Sequence, residues 1–411
     1  MSGSATPAVR DSQQAPAGRR RRLAAYLAVL GPGVIAASGG NDAGGIAIYS
    51  TSGAQFGYRM LFFMLLVAVG LMLVQEMAAR LGAYTGKGLA ALIREEFSLR
   101  VAAFALVCLL VANLGLVVSE FAGIAAALEL FGVSRYLSVP VAAVVIWGLV
   151  VFGSYRYAER LFLLLALVFL TYPVAAVLAH PDWGEVAANA FWPHLSGSKA
   201  FLFLAVAVIG TTITPYMQHY QAAAVADKGI GPDDYHLERL DVVLGVAFAC
   251  LVAVFIIIAT GATIGGSGPL QSASEAASAL RPVAGARAEL LFGIGLLGAS
   301  ALAAAVVPLS TAYAMSEAIG VERSVSRTFA EAPLFLGLFT GQIVIGSLVA
   351  LLPGPLISIL VNAYVVNGLI APVILTFILI LANRRGAAAA ATPGGRWPCM
   401  RDGGRVWILG V

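Results

Sequence analysis

The sequence predicts an all-α polytopic membrane protein made of two inverted repeats of five transmembrane helices, with helices 1 and 6 broken. Three observations carry this prediction. The first is composition: 60% of the residues are hydrophobic, only 11% are charged, and the mean hydropathy is +0.90. A soluble domain carries roughly a quarter charged residues. The second is that apolar runs long enough to cross a bilayer as helices recur ten times. They lie near residues 24–52, 59–79, 101–131, 138–154, 160–179, 200–225, 241–264, 289–319, 333–352 and 357–383. The third is that the first and sixth runs are interrupted by helix-breaking residues.

Each element follows from the residues in turn. Residues 1–22 are polar and small-residue rich, ending in four consecutive arginines, and are expected to form a disordered cytoplasmic tail. Residues 23–180 make the first five-helix repeat and 199–384 the second. Residues 385–411 form a C-terminal tail that is Ala/Gly/Arg-rich and too short to span, and reads as a surface segment or a truncated end. The third and eighth runs are the longest and are expected to tilt or protrude beyond the bilayer.

Orientation comes from the positive charges. Of 25 Lys and Arg residues, 20 fall in the tails and the connections on one side, and 5 (Arg59, Arg135, Lys199, Arg281, Arg287) on the other. Both termini are therefore expected in the cytoplasm, which requires an even number of spans. The net charge of +4 is no sign of a nucleic-acid partner, because these cations are sorted by membrane side. No secretory leader is evident, since the first strong apolar run contains Asp42. Cys108, Cys250 and Cys399 share no metal-ligand spacing and read as packing residues without a disulfide framework.

The breaks are chemically informative. Helix 1 reads "GPG" at Gly31–Gly33 and then "GGNDAGG" at Gly39–Gly45. Glycine has little helix propensity, so the chain loosens where it sits deepest. Helix 6 reads "VIGTTITPYMQHYQ" from Val208 to Gln221, and Pro215 removes a backbone donor. Each repeat has five spans, so the second runs inverted relative to the first. Breaks in corresponding helices of inverted repeats point to a secondary transporter whose site lies where the unwound segments meet. Freed carbonyls there can replace part of a cation's hydration shell. Asp42 supplies the charge, since a carboxylate at membrane depth is costly and usually functional. It can also cap the second half-helix, and the two roles are compatible.

From about Gly31 to Arg385 the chain resembles the Nramp family of divalent-metal transporters. The stretch "GAQFGYRMLFFMLL" (Gly53–Leu66), followed by "QEMAARLGAYTGKGLA" (Gln75–Ala90), is similar to that family's second span and loop. The resemblance implies the LeuT-type fold. It also implies a metal site where the family's Asp-Pro-Gly-Asn motif falls on Asp42-Ala43-Gly44-Gly45, with Asn41 just before it. The family's Met-Pro-His motif falls on Thr214-Pro215-Tyr216, and its carbonyl ligand one turn earlier on Thr211. A third-span glutamate is kept as Glu120. The candidate metal set is thus Asn41, Asp42, Ala43, Gly45, Glu120, Thr211, Thr214 and Tyr216.

The departures matter. A soft thioether becomes the hard oxygen of Thr214, and Gly45 with Thr214 is expected to leave more room. Mg²⁺ dehydrates reluctantly and is held by one or two carboxylates and waters. The pattern therefore looks like the Nramp-related magnesium transporter branch, with Mn²⁺ also accepted. Proton-coupled relatives are thought to use acidic third-span residues, the sixth-span histidine and ninth-span arginines. Here the second acidic position is Val117, the ninth span lacks arginine, and Tyr216 cannot shuttle protons as histidine does. Uncoupled import across the cytoplasmic membrane is the expectation. The membrane potential supplies about 4.6 kcal/mol per 100 mV for a divalent ion, twice the unit-charge value.

The remaining polar residues read as follows. Gln75 is placed near the inner path by resemblance or serves packing. His219 makes an interhelical hydrogen bond or contacts the exiting ion. Asn362, Tyr364 and Asn367 compete for the family's tenth-span ligand position. Arg156, Glu159 and Arg160 form an inner gate or a membrane anchor. Asp233, Asp234, His236, Glu238, Arg239 and Asp241 read as a solvated mixed-charge loop, with metal sensing as the alternative. No P-loop, HExxH or GxSxG in a strand–helix context is present, so an enzyme is not expected. No cofactor is expected; the metal is substrate. The partners expected are the divalent ion and the lipid bilayer, with no obligate protein partner. The alternatives are a proton-coupled Mn²⁺/Fe²⁺ symporter, a channel, and a Na⁺-coupled amine or amino-acid carrier.

Overall fold

A computed structural model of the chain describes residues 39–152, 167–232, 234–321 and 331–383. Both tails, the "GPG" of helix 1, Arg156, Glu159, Arg160 and Asp233 lie outside the described residues, as does Cys399.

Every regular element among the described residues is helical. A 3₁₀ turn at Gly39–Asn41 leads to Asp42, whose backbone is extended, and α1 (Ala43–Phe56) begins directly after it. α2 (Leu61–Thr85) ends at Gly86 in the left-handed conformation, which glycine adopts at little steric cost. The short amphipathic α3 (Leu89–Glu96) leads to α4 (Leu99–Glu129) and α5 (Arg135–Val151). α6 (Thr171–Leu178) is the described end of the fifth run, and α7 (Trp183–Phe191) links the repeats, capped by Asp182. The second repeat comprises α8 (Lys199–Thr212), α9 (Pro215–Asp227), α10 (Tyr235–Ile264), α11 (Ala288–Ile319), α12 (Pro333–Ala350) and α13 (Leu356–Asn383).

Seven described segments are long and apolar enough to cross a membrane, and α5 is a shorter apolar helix. The difference from ten runs has simple causes. α1 and α2 join into one stretch, Ala43–Thr85, and parts of the first and fifth runs lie outside the described residues. α4 and α11 have 31 and 32 residues, about 47 Å at 1.5 Å per residue. That exceeds the roughly 30 Å hydrocarbon core, in line with the two longest runs.

Packing has the symmetry of an inverted repeat. α1 packs on α10 of the other repeat, and α9 packs on α2. Exchanging the repeats maps one contact onto the other. α4 and α11, the third helix of each repeat, pack against each other, and α12 and α13 also lie on α4. The expected solvated loop is corrected. Tyr235 to Asp241 are the first two turns of α10, and both Glu238 and Asp241 are fully buried. Charges next to a connection read as surface, but here packing of α10 on α2 draws them inside.

Candidate metal centre

The two breaks face each other. Pro215 has no N–H to give the carbonyl four residues earlier, which is Thr211. Thr214 Oγ1 donates to that carbonyl instead, at 3.3 Å. Ile213 and Thr214 leave helical geometry, and α9 restarts at Pro215, a favoured first helical residue. Thr211 Oγ1 donates across to the Gly40 carbonyl at 3.4 Å.

Asp42 does two things at once. Its Oδ1 accepts from the Gly45 N–H at 2.9 Å and caps α1. Its Oδ2 accepts from the Tyr364 hydroxyl of α13. The same hydroxyl lies 3.3 Å from Glu120 Oε1 on α4. The Tyr364 hydroxyl thus stands between the Asp42 and Glu120 carboxyl groups. Asp42 is 4% exposed and Glu120 and Tyr364 are 0% exposed, with Glu120 Oε2 unpartnered. Tyr216 is buried within electrostatic reach of both carboxyl groups. Two carboxylates buried together cost several kcal/mol unless positive charge joins them. The arrangement brings two acidic side chains and a phenol together from three helices.

Asp42, Glu120 and Tyr216 lie buried in one region, and Thr211 and Thr214 line the facing break. Ala43 packs on α4: a Cβ on Gly123 would lie 2.4 Å from Ala43 Cβ. Asn41 Nδ2 donates to the Ala249 carbonyl of α10 at 3.2 Å, which holds the side chain by its amide nitrogen. The expected roominess at Gly45 is also corrected. A Cβ there would lie 2.0 Å from the Gly40 carbonyl oxygen and 2.9 Å from Thr211 Oγ1. Backbone fills the space that the missing side chain would take. His219 bonds within its own helix, Nδ1 to the Pro215 carbonyl at 3.0 Å, rather than between helices.

Tyr364 is the tenth-span residue at the site. Its ring lies on Gly44, where a Cβ would come within 1.7 Å of Cε2. Asn367, one turn on, donates to the Gly210 carbonyl at 2.6 Å, while Asn362 is exposed. The sequence offered all three with a register uncertain by a turn; the Gly44 seat decides between them. Met217 was not singled out, yet its Cε would lie 3.5 Å from a Cβ at Gly40. Its place two residues after Pro215 was the only available signal. Val117, at the second acidic position, packs on α12: a Cβ on Gly346 would lie 2.6 Å from Val117 Cγ1. Among the described residues no three His, Cys, Asp or Glu side chains converge as a metal cluster. The site pairs two carboxyl groups with hydroxyl and carbonyl oxygens.

The profile of the natural resistance-associated macrophage protein-like (Nramp) family matches residues 33–391. The chain belongs to the Nramp family. Among curated Nramp relatives, the divalent metal cation transporter MntH of Aeromonas hydrophila is 29% identical over 341 residues, 79% of this chain and 83% of that protein. MntH 1 of Pseudomonas aeruginosa is 29% identical, covering 80% of each chain. A crystal structure of the Eremococcus coleocola manganese transporter superposes with a TM-score of 0.71 at 21% identity, covering 93% of this chain and 83% of that one. MHP1, a nucleobase-cation-symport-1 transporter, gives 0.51 at 16% identity over 86% and 79% of the two chains. These likenesses show the fold, which is LeuT-like. The Nramp relatives are transporters rather than enzymes, and the chain is an integral membrane protein.

Proposed function

We propose that this Nramp protein imports divalent metal cations across the cytoplasmic membrane by alternating access, carrying Mg²⁺ and also Mn²⁺, without proton coupling and with both termini cytoplasmic. The carrying observation is the donor set around Asp42. Its carboxylate meets the Tyr364 hydroxyl and a backbone amide, and the same hydroxyl reaches the Glu120 carboxyl, with no thioether or imidazole among these contacts. Hard oxygen ligands of low total charge suit Mg²⁺ and Mn²⁺. Uncoupled transport is supported by the apolar Val117–Gly346 contact, where a proton relay would need titratable groups. The membrane potential supplies the driving force. The metal is cargo and no resident cofactor is invoked.

A proton-coupled Mn²⁺ symporter is the second reading. It is favoured by the Met217 methyl against the helix-1 break and by the manganese transporter and MntH names of the relatives. Uptake into proteoliposomes under a set potential, with a Mg²⁺-sensitive dye and a pH dye inside, separates the two. Mg²⁺ entry at constant internal pH supports the first reading. Mn²⁺ entry with acidification and no Mg²⁺ entry overturns it in favour of the second.

A further inference from the structure

Away from Asp42, buried polar atoms without partners gather where α9, α10 and α2 meet. Gln218 and Gln221 on α9, Glu238 on α10 and Gln75 on α2 are all fully buried. Gln221 Nε2 donates to Glu238 Oε1 at 2.6 Å. That leaves Gln221 Oε1 and Glu238 Oε2 unpartnered, and both side-chain polar atoms of Gln218 and of Gln75 unpartnered as well. Native proteins leave few such atoms, and each one calls for a ligand, a water or an ion. Six in one region cannot be dismissed as isolated defects.

Their spacing along α9 is regular. Gln218, Gln221 and Val225 are separated by three and four residues, which puts them on one face of the helix, and Thr214, its N-cap residue, lies four before Gln218. That face meets α2: a Cβ on Gly82 would lie 2.5 Å from the Ala222 carbonyl oxygen and 3.1 Å from Val225 Cβ. Gln75 lies two turns before Gly82, on the same side of α2. The stripe begins at Thr214, at the metal centre, and ends at Glu238. Thr214 and Gln221 are seven residues apart, about 10 Å along the axis. Asp241 is buried one turn beyond Glu238 and its charge bears on it, as does that of Lys228 at the end of α9.

We propose that Glu238 Oε2, with the side-chain carbonyl oxygens of Gln221 and Gln218, forms a second divalent-cation site, reached from the first along this face of α9. The proposal rests on the reading of the chain as a divalent-cation carrier. Its ligands are one carboxylate and neutral amide oxygens, which suit a partly hydrated hard cation. Asp241 adds negative charge that the Lys228 ammonium offsets, so the site holds the ion weakly enough to release it. Efficient passage needs stops of that kind.

Counting bound Mn²⁺ tests it. Purified full-length protein in detergent is titrated with Mn²⁺, and the free-ion signal is followed by electron paramagnetic resonance, for wild type, Asp42→Ala and Glu238→Gln. The expected counts are two ions in wild type and one in each variant. A second ion that survives Glu238→Gln overturns the proposal, as does a single wild-type ion that Asp42→Ala abolishes. A single ion lost in Glu238→Gln but kept in Asp42→Ala upholds the second site and removes the first. No binding by wild type removes both. If Glu238→Gln aggregates on gel filtration, Gln221→Leu takes its place with the same expected count.

Discussion

The two interrupted helices meet at one place but are interrupted by different means. In helix 1 glycines loosen the chain and Asp42 fills the opening, capping α1 and presenting the charge. In helix 6 a single proline frees the Thr211 carbonyl, and the hydroxyls of Thr211 and Thr214 and a carbonyl face the opening with no charge of their own. One break is charged and the other is dipolar. The difference teaches that charge and selectivity can be separated in the proposed site. In that proposal the first break supplies the charge that binds a cation, and the second, with α13, sets which cations suit it.

Breaking that division should have its largest effect at Asp42. Asp42→Ala removes the charge and is expected to abolish divalent uptake, at least a hundredfold below wild type. The lost cap costs only about 1 kcal/mol of stability, so gel filtration should show a folded protein; wild-type uptake would refute the assignment. Gly45→Asn restores the family's residue but drives a side chain into the Gly40 carbonyl, 2.0 Å from the would-be Cβ. Overpacking of this kind costs about 1–3 kcal/mol. Uptake should fall by more than tenfold and the melting temperature by a few degrees. A gain in uptake would mean that the break opens during transport. Thr214→Met puts a soft donor on the dipolar side and should shift the Cd²⁺-to-Mg²⁺ uptake ratio about tenfold towards Cd²⁺. An unchanged ratio would detach Thr214 from selectivity. Tyr364→Phe removes one hydroxyl bonded to a carboxylate, a loss of about 1 kcal/mol or more. It should raise the Mg²⁺ KM several-fold while leaving kcat within a factor of two.

The sequence made the breaks legible because glycine clusters and a mid-helix proline have direct backbone consequences. Asp42 was legible because a carboxylate is rare in an apolar run. The rest depended on three dimensions. Gly45 reads as empty space, but a neighbouring carbonyl occupies it, and nothing local announces that. Tyr364 could not be separated from Asn362 and Asn367 until α13 packed across Gly44. Glu238 and Asp241 looked solvated because they follow a charged connection; only the contact of α10 with α2 shows them buried. His219 was expected to reach another helix, and instead it satisfies a carbonyl one turn back.

The Tyr364 hydroxyl has a consequence for the half of the cycle in which nothing is carried. The uncoupled carrier proposed above would turn round empty, with its acidic pair unoccupied. Tyr364 is attached to α13, its ring is seated on α1, and its hydroxyl reaches α4. It supplies the vacant pair with an internal donor that travels with the protein. In the uncoupled cycle proposed above, the empty return would then need no borrowed ion.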